Sequence, residues 1–413
     1  MTEDRNTLEH WKAIGVRKYS DEGVERALEP GETLAVARTA AIRGGIVLPT
    51  NVSVNGGKQA TTDEVRAGGP DNDFALSSMM EEIEHHAGAL CDYDVVVSSY
   101  RDLSMRTRCV RPVDIIIPEL CELTDDLILE WVCGYDLVSR SEVFVPLNAV
   151  LCPYRPQQGA MVFYACTNGL ASGNTRLEAL CHAICEIIER DAQAIALARS
   201  CVAPVLHSFT NAKADDHPVS HPRRISLHGL PHRASDLVSQ LECHGISVCL
   251  RDLTSTAGIA TIECILVEQT PEKSARAYSG AGAHPDARVA VWRSITEAAQ
   301  SRAAVRNSTD SGIPEIRHKS VQQIDTFLSS NDWISFEQLP SFEHQYIDQD
   351  VEFLLSSLPT YGLTHVIAFD LTRPEVGVPV VRTILPKAET WHIFHLLMGR
   401  GKFGPRILQE LAV

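Results

Sequence analysis

The sequence predicts a mixed α/β fold of the α+β type, in which helices and strands alternate along 413 residues. Residues 245–253 (GISVCLRDL) and 258–269 (GIATIECILVEQ) are short segments rich in apolar and β-branched residues, which is typical of strands. Two further strands are indicated at 365–371 (HVIAFDL) and 377–386 (GVPVVRTILP), separated by a turn at 372–377. Amphipathic helices lie between these regions, so we expect mixed sheets covered by helices.

The other elements follow from local signals. A Gly- and Asn-rich loop at 55–73 leads into a helix that we expect to begin near Phe74. Residues 131–151 (WVCGYDLVSRSEVFVPLNAVL) alternate turn and β-branched signals, which predicts a hairpin that leads toward the next helix. That helix is expected over 172–191, and another over 287–302.

Composition limits the classes of protein to consider. With 44% hydrophobic residues, the chain can bury a large core, and we expect one enzyme unit with lobes at 1–110, 111–310 and 311–413. No apolar leader and no run of about 18 apolar residues occurs, which predicts a cytoplasmic protein without a membrane segment. The formal charge of −16 argues against general nucleic-acid binding. Twelve scattered cysteines without a CxxC pair predict reduced thiols.

The helix predicted at 172–191 has one strongly acidic face. At about 100° per residue, five polar positions fall within about a third of its circumference. They are Asn174, Glu178, His182, Glu186 and Glu189. No lysine lies four residues after any of the glutamates to pair with it. A solvated surface is the ordinary interpretation, but this composition favours a face that binds a cationic group.

A second acidic helix repeats part of this pattern. The motif MMEEIEHHA is similar to AICEIIERDA in the central helix and aligns Glu81 and Glu84 with Glu186 and Glu189. Ser77 precedes the first glutamate pair on the same helix face. The short internal repeat therefore predicts two helices that present similar carboxylates.

A third helix adds amide and guanidinium groups. In VWRSITEAAQSR, the side chains of Arg293, Glu297 and Gln300 fall within about one sixth of a turn, with Arg302 nearby. Carboxylate oxygens suit hard cations, and guanidinium groups suit phosphate oxygens. Together the three helices predict a site that holds magnesium ions and a polyphosphate, that is, a metal-bridged nucleotide.

Several familiar nucleotide and hydrolase motifs do not occur. The sequence contains no GxxxxGK[ST] loop, no GxGxxG after a strand, no HExxH and no GxSxG. The sequence therefore lacks the signatures of four classes of enzyme, namely P-loop ATPases, Rossmann oxidoreductases, zincins and α/β-hydrolases. GAGAHP, beginning at Gly280, contains only a lone GxG and indicates a turn from a strand into the third helix.

Two of these motifs resemble the YcaO family when taken together. They are TNGLASGNTRLEALCHAICEIIERD and GAGAHPDARVAVWRSITEAAQSR, and the helix with Glu81 and Glu84 is similar to an earlier acidic motif of the family. The resemblance extends from about Arg38 to Pro386. It implies a YcaO-like fold, with repeated helix-on-sheet units around a central nucleotide site. It also implies an enzyme that uses ATP and Mg²⁺ to activate a backbone amide of a ribosomally made precursor peptide.

Carried over by position, the resemblance implies roles for eleven residues. The implied metal ligands are Glu81, Glu84, Glu186 and Glu189. The implied nucleotide- and phosphate-binding residues are Ser77, Asn174, Glu178, Arg190, Glu297, Gln300 and Arg302. For each of them the alternative is a helix cap or a surface ion pair. The resemblance assigns no side chain as the general acid or base.

Three positions depart from the pattern of the family. Residues 67–69 read Ala-Gly-Gly instead of Gly-Lys-Gly, with Gly68 in place of the lysine. His85 stands where an arginine is usual, and Thr309 lies where an arginine-containing GSRDD-like string is common. A phosphate contact is therefore lost or relocated, which keeps open a non-catalytic subunit that binds nucleotide or peptide.

The reaction of this member is expected to be thioamide formation with a TfuA-type sulfur-delivery partner. The chain ends in PRILQELAV rather than in the proline-rich tail of azoline-forming cyclodehydratases, and it carries no fused ubiquitin-activating-like domain. An azoline cyclodehydratase with a separate leader-binding protein, and an amidine-forming enzyme, remain alternatives. The resemblance further implies a homodimer and a role in the biosynthesis of modified peptides such as bacteriocins.

Overall fold

The computed structural model describes residues 70–89, 93–203, 221–255, 258–269, 275–307, 332–390 and 403–411. This part of the chain divides into two compact units. The first unit contains the described residues up to Ile187 together with His344–Pro405. The second unit contains Ile188–Glu343 and the residues from Arg406 onward.

The helices within the described ranges are numbered in chain order. They are α1 (Pro70–Gly88), α2 (Tyr100–Ser104), α3 (Leu147–Val150), α4 (Arg176–Leu197), α5 (His232–Cys243), α6 (Ala287–Asn307), α7 (Ile347–Ser357) and α8 (Pro405–Leu411). None of these helices is both long and apolar enough to cross a lipid bilayer.

The strands of the same ranges form two sheets. They are β1 (Val95–Ser99), β2 (Ile128–Asp136), β3 (Ser141–Pro146), β4 (Leu170–Ser172), β5 (Arg223–Ile225), β6 (Ile246–Asp252), β7 (Ala260–Gln269), β8 (Ala275–His284), β9 (Trp333–Ile334), β10 (Ile367–Asp370) and β11 (Val380–Ile384).

The first unit contains a six-stranded sheet in which every pairing is antiparallel. Its order is β1-β2-β10-β11-β4, with β3 paired to β2. The sheet buries one apolar face in a core that includes the fully buried rings of Trp131, Phe163 and Phe369. Helix α1 packs against β4 and β11. This packing brings the acidic residues of α1 to the end of the sheet at β4.

The second unit contains a five-stranded sheet in the order β8-β7-β6-β5-β9. Neighbouring strands are antiparallel except β5 and β9, which are parallel. Helix α6 packs against β8 and β7, and α5 packs against β6. Because both units combine sheets with helices on their faces and one sheet is mixed, the predicted α+β class is confirmed.

Most of the predicted elements are present. Residues 131–151 contain the hairpin of β2 and β3, paired from Trp131 with Pro146 to Asp136 with Ser141. The predicted strand pairs β6 with β7 and β10 with β11 are antiparallel neighbours. Within the described ranges, cysteines such as Cys249 and Cys264 are not joined in disulfide bonds.

Three boundaries differ from the predictions. Helix α1 begins at Pro70, so residues 70–73 of the predicted loop are helical. Proline suits the first turn of a helix, because its missing N–H would have no partner there. Helix α4 begins at Arg176 rather than at Ser172, and α6 continues past Arg302 to Asn307. Gly68 and Thr309 lie outside the described residues.

The predicted passage from a strand into the third helix is present, but it lies at the end of GAGAHP, between His284 and Ala287. Gly280 and Gly282 themselves belong to strand β8 rather than to a turn. A β-carbon at Gly280 would overlap the backbone nitrogen of Ala298 and lie 2.6 Å from the carbonyl carbon of Glu297. A β-carbon at Gly282 would likewise overlap the carbonyl oxygen of Ala290. The two glycines therefore allow the backbones of β8 and α6 to approach closely, and the pattern that resembled a turn is a packing motif.

We expect Gly280→Ala to destabilise the protein by about 1–3 kcal/mol, because the added methyl group pushes α6 away from β8. The free energy of unfolding, measured by urea denaturation, checks this expectation. Ser279→Ala is the matched control, because successive strand residues point to opposite faces of the sheet. Equal stability of the Gly280→Ala variant and the unaltered protein would contradict the packing role.

Candidate functional site

Glu84 on α1 is a carboxyl group of the predicted site whose ionisation is strongly perturbed. Its Oε1 atom accepts hydrogen bonds from the backbone N–H of Ser172, at 2.7 Å, and from the Ser172 hydroxyl, at 2.6 Å. Burial raises the pKa of Glu84 to about 8 despite these two bonds, and the nearby carboxylates of Glu186 and Glu81 raise the pKa further. The structure thus brings three predicted metal ligands of the first unit into one electrostatic cluster.

The Glu186 side chain is bound by the backbone just before β4. Its Oε2 atom accepts a hydrogen bond from the backbone N–H of Gly169 at 3.0 Å. Gly169 has a φ of 83°, and its carbonyl oxygen accepts a 2.7 Å hydrogen bond from Thr383 N on β11. Only glycine adopts this backbone conformation readily, so the local turn fixes the donor that orients Glu186.

The side chain of Glu81 on α1 is exposed, whereas that of Glu84 is partly buried. Among the residues that the structure describes, no group of three or more His, Cys, Asp or Glu side chains is arranged to hold a metal ion. Magnesium ordinarily uses one or two protein carboxylates and completes its shell with water and phosphate oxygens. A divalent cation would also offset the mutual repulsion of Glu81, Glu84 and Glu186. Their donor chemistry therefore fits Mg²⁺.

Of the predicted face residues Asn174 and Glu178, only Glu178 lies within α4 as predicted. Asn174 is exposed and precedes α4, which begins at Arg176. The Glu178 carboxylate accepts a 2.9 Å hydrogen bond from the backbone N–H of Asn174, and Glu178 N donates to the Thr175 hydroxyl. This arrangement resembles a capping box, in which side chains pair with N–H groups at the start of a helix. Both contacts stabilise the beginning of α4.

In the second unit, α4 carries Glu189, which is buried, and Arg190, which is partly buried. The guanidinium of Arg190 lies 3.6 Å from Glu189 Oε1 and 3.8 Å from Glu297 Oε1. Glu297 on α6 also accepts a 2.9 Å hydrogen bond from the backbone N–H of Ala281 through its Oε2 atom. The structure therefore places two predicted carboxylates, those of Glu189 and Glu297, near the guanidinium of Arg190.

Two further predicted residues lie in the C-terminal half of α6. Gln300 is partly buried. The Nε and Nη2 atoms of Arg302 donate hydrogen bonds of 2.9 and 2.7 Å to one oxygen of Glu268 on β7. Ser77 belongs to α1, but its side chain lies outside the part of the structure that can be described.

Sequence reasoning missed the groups that hold the predicted residues in place. Ser172 and Glu268 are side chains on strands, and no helical periodicity marks them. The N–H groups of Gly169 and Ala281 belong to the backbone, which the residue type does not reveal. For Gly169, the Asn-Gly pair at 168–169 is a turn signal that could have directed attention to this position.

Comparison with known proteins identifies a family and several relatives. A family model described as YcaO cyclodehydratase, ATP- and Mg²⁺-binding, matches residues 71–389. An uncharacterised protein of Methanothermobacter thermautotrophicus is 31% identical over 360 residues, which cover 84% of this chain and 85% of that protein.

A second relative is an uncharacterised protein from the tfuA 3′ region of Rhizobium leguminosarum bv. trifolii. It is 27% identical over 404 residues, covering 91% of this chain and 90% of that protein. The structure of YcaO from Methanopyrus kandleri, bound with AMPPCP and Mg²⁺, has a similar fold. The TM-score is 0.65 at 22% identity, with 94% of this chain and 98% of that chain covered. The chain belongs to the YcaO cyclodehydratase family, which binds ATP and Mg²⁺.

Proposed function

We propose that this protein uses Mg-ATP to activate a backbone amide of a ribosomally made precursor peptide and converts that amide into a thioamide. The amide oxygen attacks the γ-phosphoryl group, ADP leaves, and the amide loses its N–H proton. Hydrosulfide (HS⁻) then adds to the activated carbon, its proton passes to the amide nitrogen, and inorganic phosphate departs with the original amide oxygen. The net change in the peptide is the replacement of one oxygen atom by sulfur.

The observation that carries the proposal is the cluster of Glu84, Glu186 and Glu81. Burial and like charge make an ionised Glu84 unfavourable, which is the environment that a bound divalent cation stabilises. Phosphoryl transfer needs mainly positioning and neutralisation of charge, so carboxylates that hold Mg²⁺ are suited to the task. When bound, Mg²⁺ supplies this neutralisation at the phosphate oxygens.

The roles of the individual residues follow from their chemistry. We assign Glu81, Glu84, Glu186 and Glu189 to magnesium. Guanidinium groups pair with phosphate oxygens, so Arg190 and Arg302 are assigned to the phosphates. The remaining nucleotide-binding residues are Ser77, Asn174, Glu178, Glu297 and Gln300.

Formation of a thioamide is supported by the relative from the tfuA 3′ region. That relative covers nearly the same length as this chain, so the similarity is not confined to the nucleotide site. A TfuA-type protein is accordingly the proposed sulfur-delivery partner. The description of the family as a cyclodehydratase favours azoline formation, with a separate leader-binding protein, as the second candidate.

Mass spectrometry of the precursor peptide encoded beside the gene distinguishes these reactions. With Mg-ATP, sulfide and the neighbouring gene products, we expect a gain of about 16 Da, because sulfur replaces oxygen after the amide is activated. A loss of about 18 Da would instead indicate dehydrative closure to an azoline or amidine, which fragmentation separates. Controls lack ATP or contain a magnesium chelator. Folded protein that changes neither peptide nor ATP would contradict an enzymatic function.

We expect Glu186→Gln to lower peptide modification by about 100-fold or more, because the amide retains an acceptor for Gly169 N but loses the charge that attracts Mg²⁺. The initial rate of peptide modification at saturating Mg-ATP is the measurement. Glu375→Gln, at an exposed turn of the same unit, is the matched control and should leave the rate unchanged. An unchanged rate in Glu186→Gln would remove Glu186 from the magnesium site.

A further inference from the structure

Arg302 has a carboxylate partner on the neighbouring sheet that no sequence motif indicated. Its Nε and Nη2 atoms both donate to Oε2 of Glu268, at 2.9 and 2.7 Å. The side chains are 22% and 17% exposed, respectively, so this ion pair is largely withdrawn from solvent. Partial burial and two hydrogen bonds make the contact stronger and more directional than an ordinary surface ion pair.

Glu268 is itself held by a buried phenol. The Tyr278 hydroxyl on β8 donates a 2.7 Å hydrogen bond to Oε1, the second oxygen of the Glu268 carboxylate. Burial raises the pKa of Tyr278, and the bond to Glu268 adds to this effect, while Arg276 opposes it. The phenol therefore remains protonated and acts as the donor. Tyr278, Glu268 and Arg302 form a chain of hydrogen bonds from the sheet to α6.

The contact uses only part of the guanidinium group. Arginine has five N–H donors arranged around a plane, and the Glu268 contact occupies the Nε–Nη2 side. Within the described residues, Nη1 of Arg302 makes no hydrogen bond. The Nη1–Nη2 side is therefore available for a second anion while the first side stays bound to Glu268. A phosphate group, with several acceptor oxygens, matches this geometry.

We propose that Glu268 is a positioning residue for phosphate recognition, which holds the guanidinium of Arg302 so that its second side can bind a nucleotide phosphate. The inference rests on the proposed function, in which Arg302 contacts the phosphates. Tyr278 supports it by fixing the carboxylate plane of Glu268. Without Glu268 the long arginine side chain would have to be ordered by the ligand itself, and that ordering lowers affinity.

Calorimetric titration of the purified full-length protein with Mg-AMPPCP and with adenosine tests this inference. We expect Glu268→Gln to weaken Mg-AMPPCP binding about tenfold, because a neutral amide holds the guanidinium less firmly. Tyr278→Phe should weaken binding by a smaller factor. Adenosine affinity should be unchanged in both variants, because adenosine carries no phosphate. Arg302→Lys retains the charge but lacks the two-sided donor geometry, and its loss should be at least as large as that of Glu268→Gln.

Glu343→Gln is the matched control. It removes the carboxylate that lies 3.1 Å from Arg288 at the other end of α6, so it alters an Arg–Glu pair on the same helix. Its affinity for Mg-AMPPCP should equal that of the unaltered protein. Thermal unfolding without nucleotide verifies that each variant is folded.

The outcomes separate the two proposals. Equal Mg-AMPPCP affinity in Glu268→Gln and the unaltered protein, with a loss in Arg302→Lys, would overturn the positioning role alone. A parallel loss of adenosine affinity would also overturn it, because the effect would then be general and structural. Failure of the unaltered, folded protein to bind Mg-AMPPCP would overturn the proposed function and, with it, this inference.

Discussion

The first unit is organised around carboxylates that repel one another and are nevertheless held close together. An ionised Glu84 would carry the same charge as Glu186 and Glu81, and burial makes that ionised form less favourable still. The N–H groups of Gly169, just before β4, and of Ser172, at the end of β4, bind these carboxyl groups and fix their positions. The sheet thus provides donors from its backbone, whose positions do not depend on a flexible side chain. The proposed magnesium chemistry depends on this arrangement.

The fold was largely predictable because its elements have strong local signals. Residues 258–269 are rich in apolar and β-branched residues, and most of them form β7, a strand with neighbours on both sides. The prediction of a turn at Gly280 was wrong for a physical reason. Glycine permits both a tight turn and close backbone packing, and local sequence does not distinguish the two uses. The start of α4 was misplaced because Thr175 and Glu178 form caps that the helical periodicity alone did not reveal.

The sequence was sufficient to predict which residues belong to the candidate site, but it did not predict which groups contact them. Helical spacing and the family resemblance selected Glu84, Glu186 and Glu297, and the structure shows what holds each one. Those holding groups are mostly backbone N–H donors and strand residues such as Glu268, whose positions depend on tertiary packing. A sequence pattern predicts which side chains share a helix face, but it does not predict which strand packs against that face.

The close contact between β8 and α6 has a consequence for how this sequence can vary. Gly280 approaches the backbone at Glu297, and the next residue, Ala281, donates its N–H to the Glu297 carboxylate. Arg302 lies little more than one turn further along the same helix. A single added methyl group on the strand would therefore shift a carboxylate and a guanidinium together. A substitution at these glycines would therefore change both the stability of the fold and the positions of site residues, so the two properties cannot evolve independently at these positions.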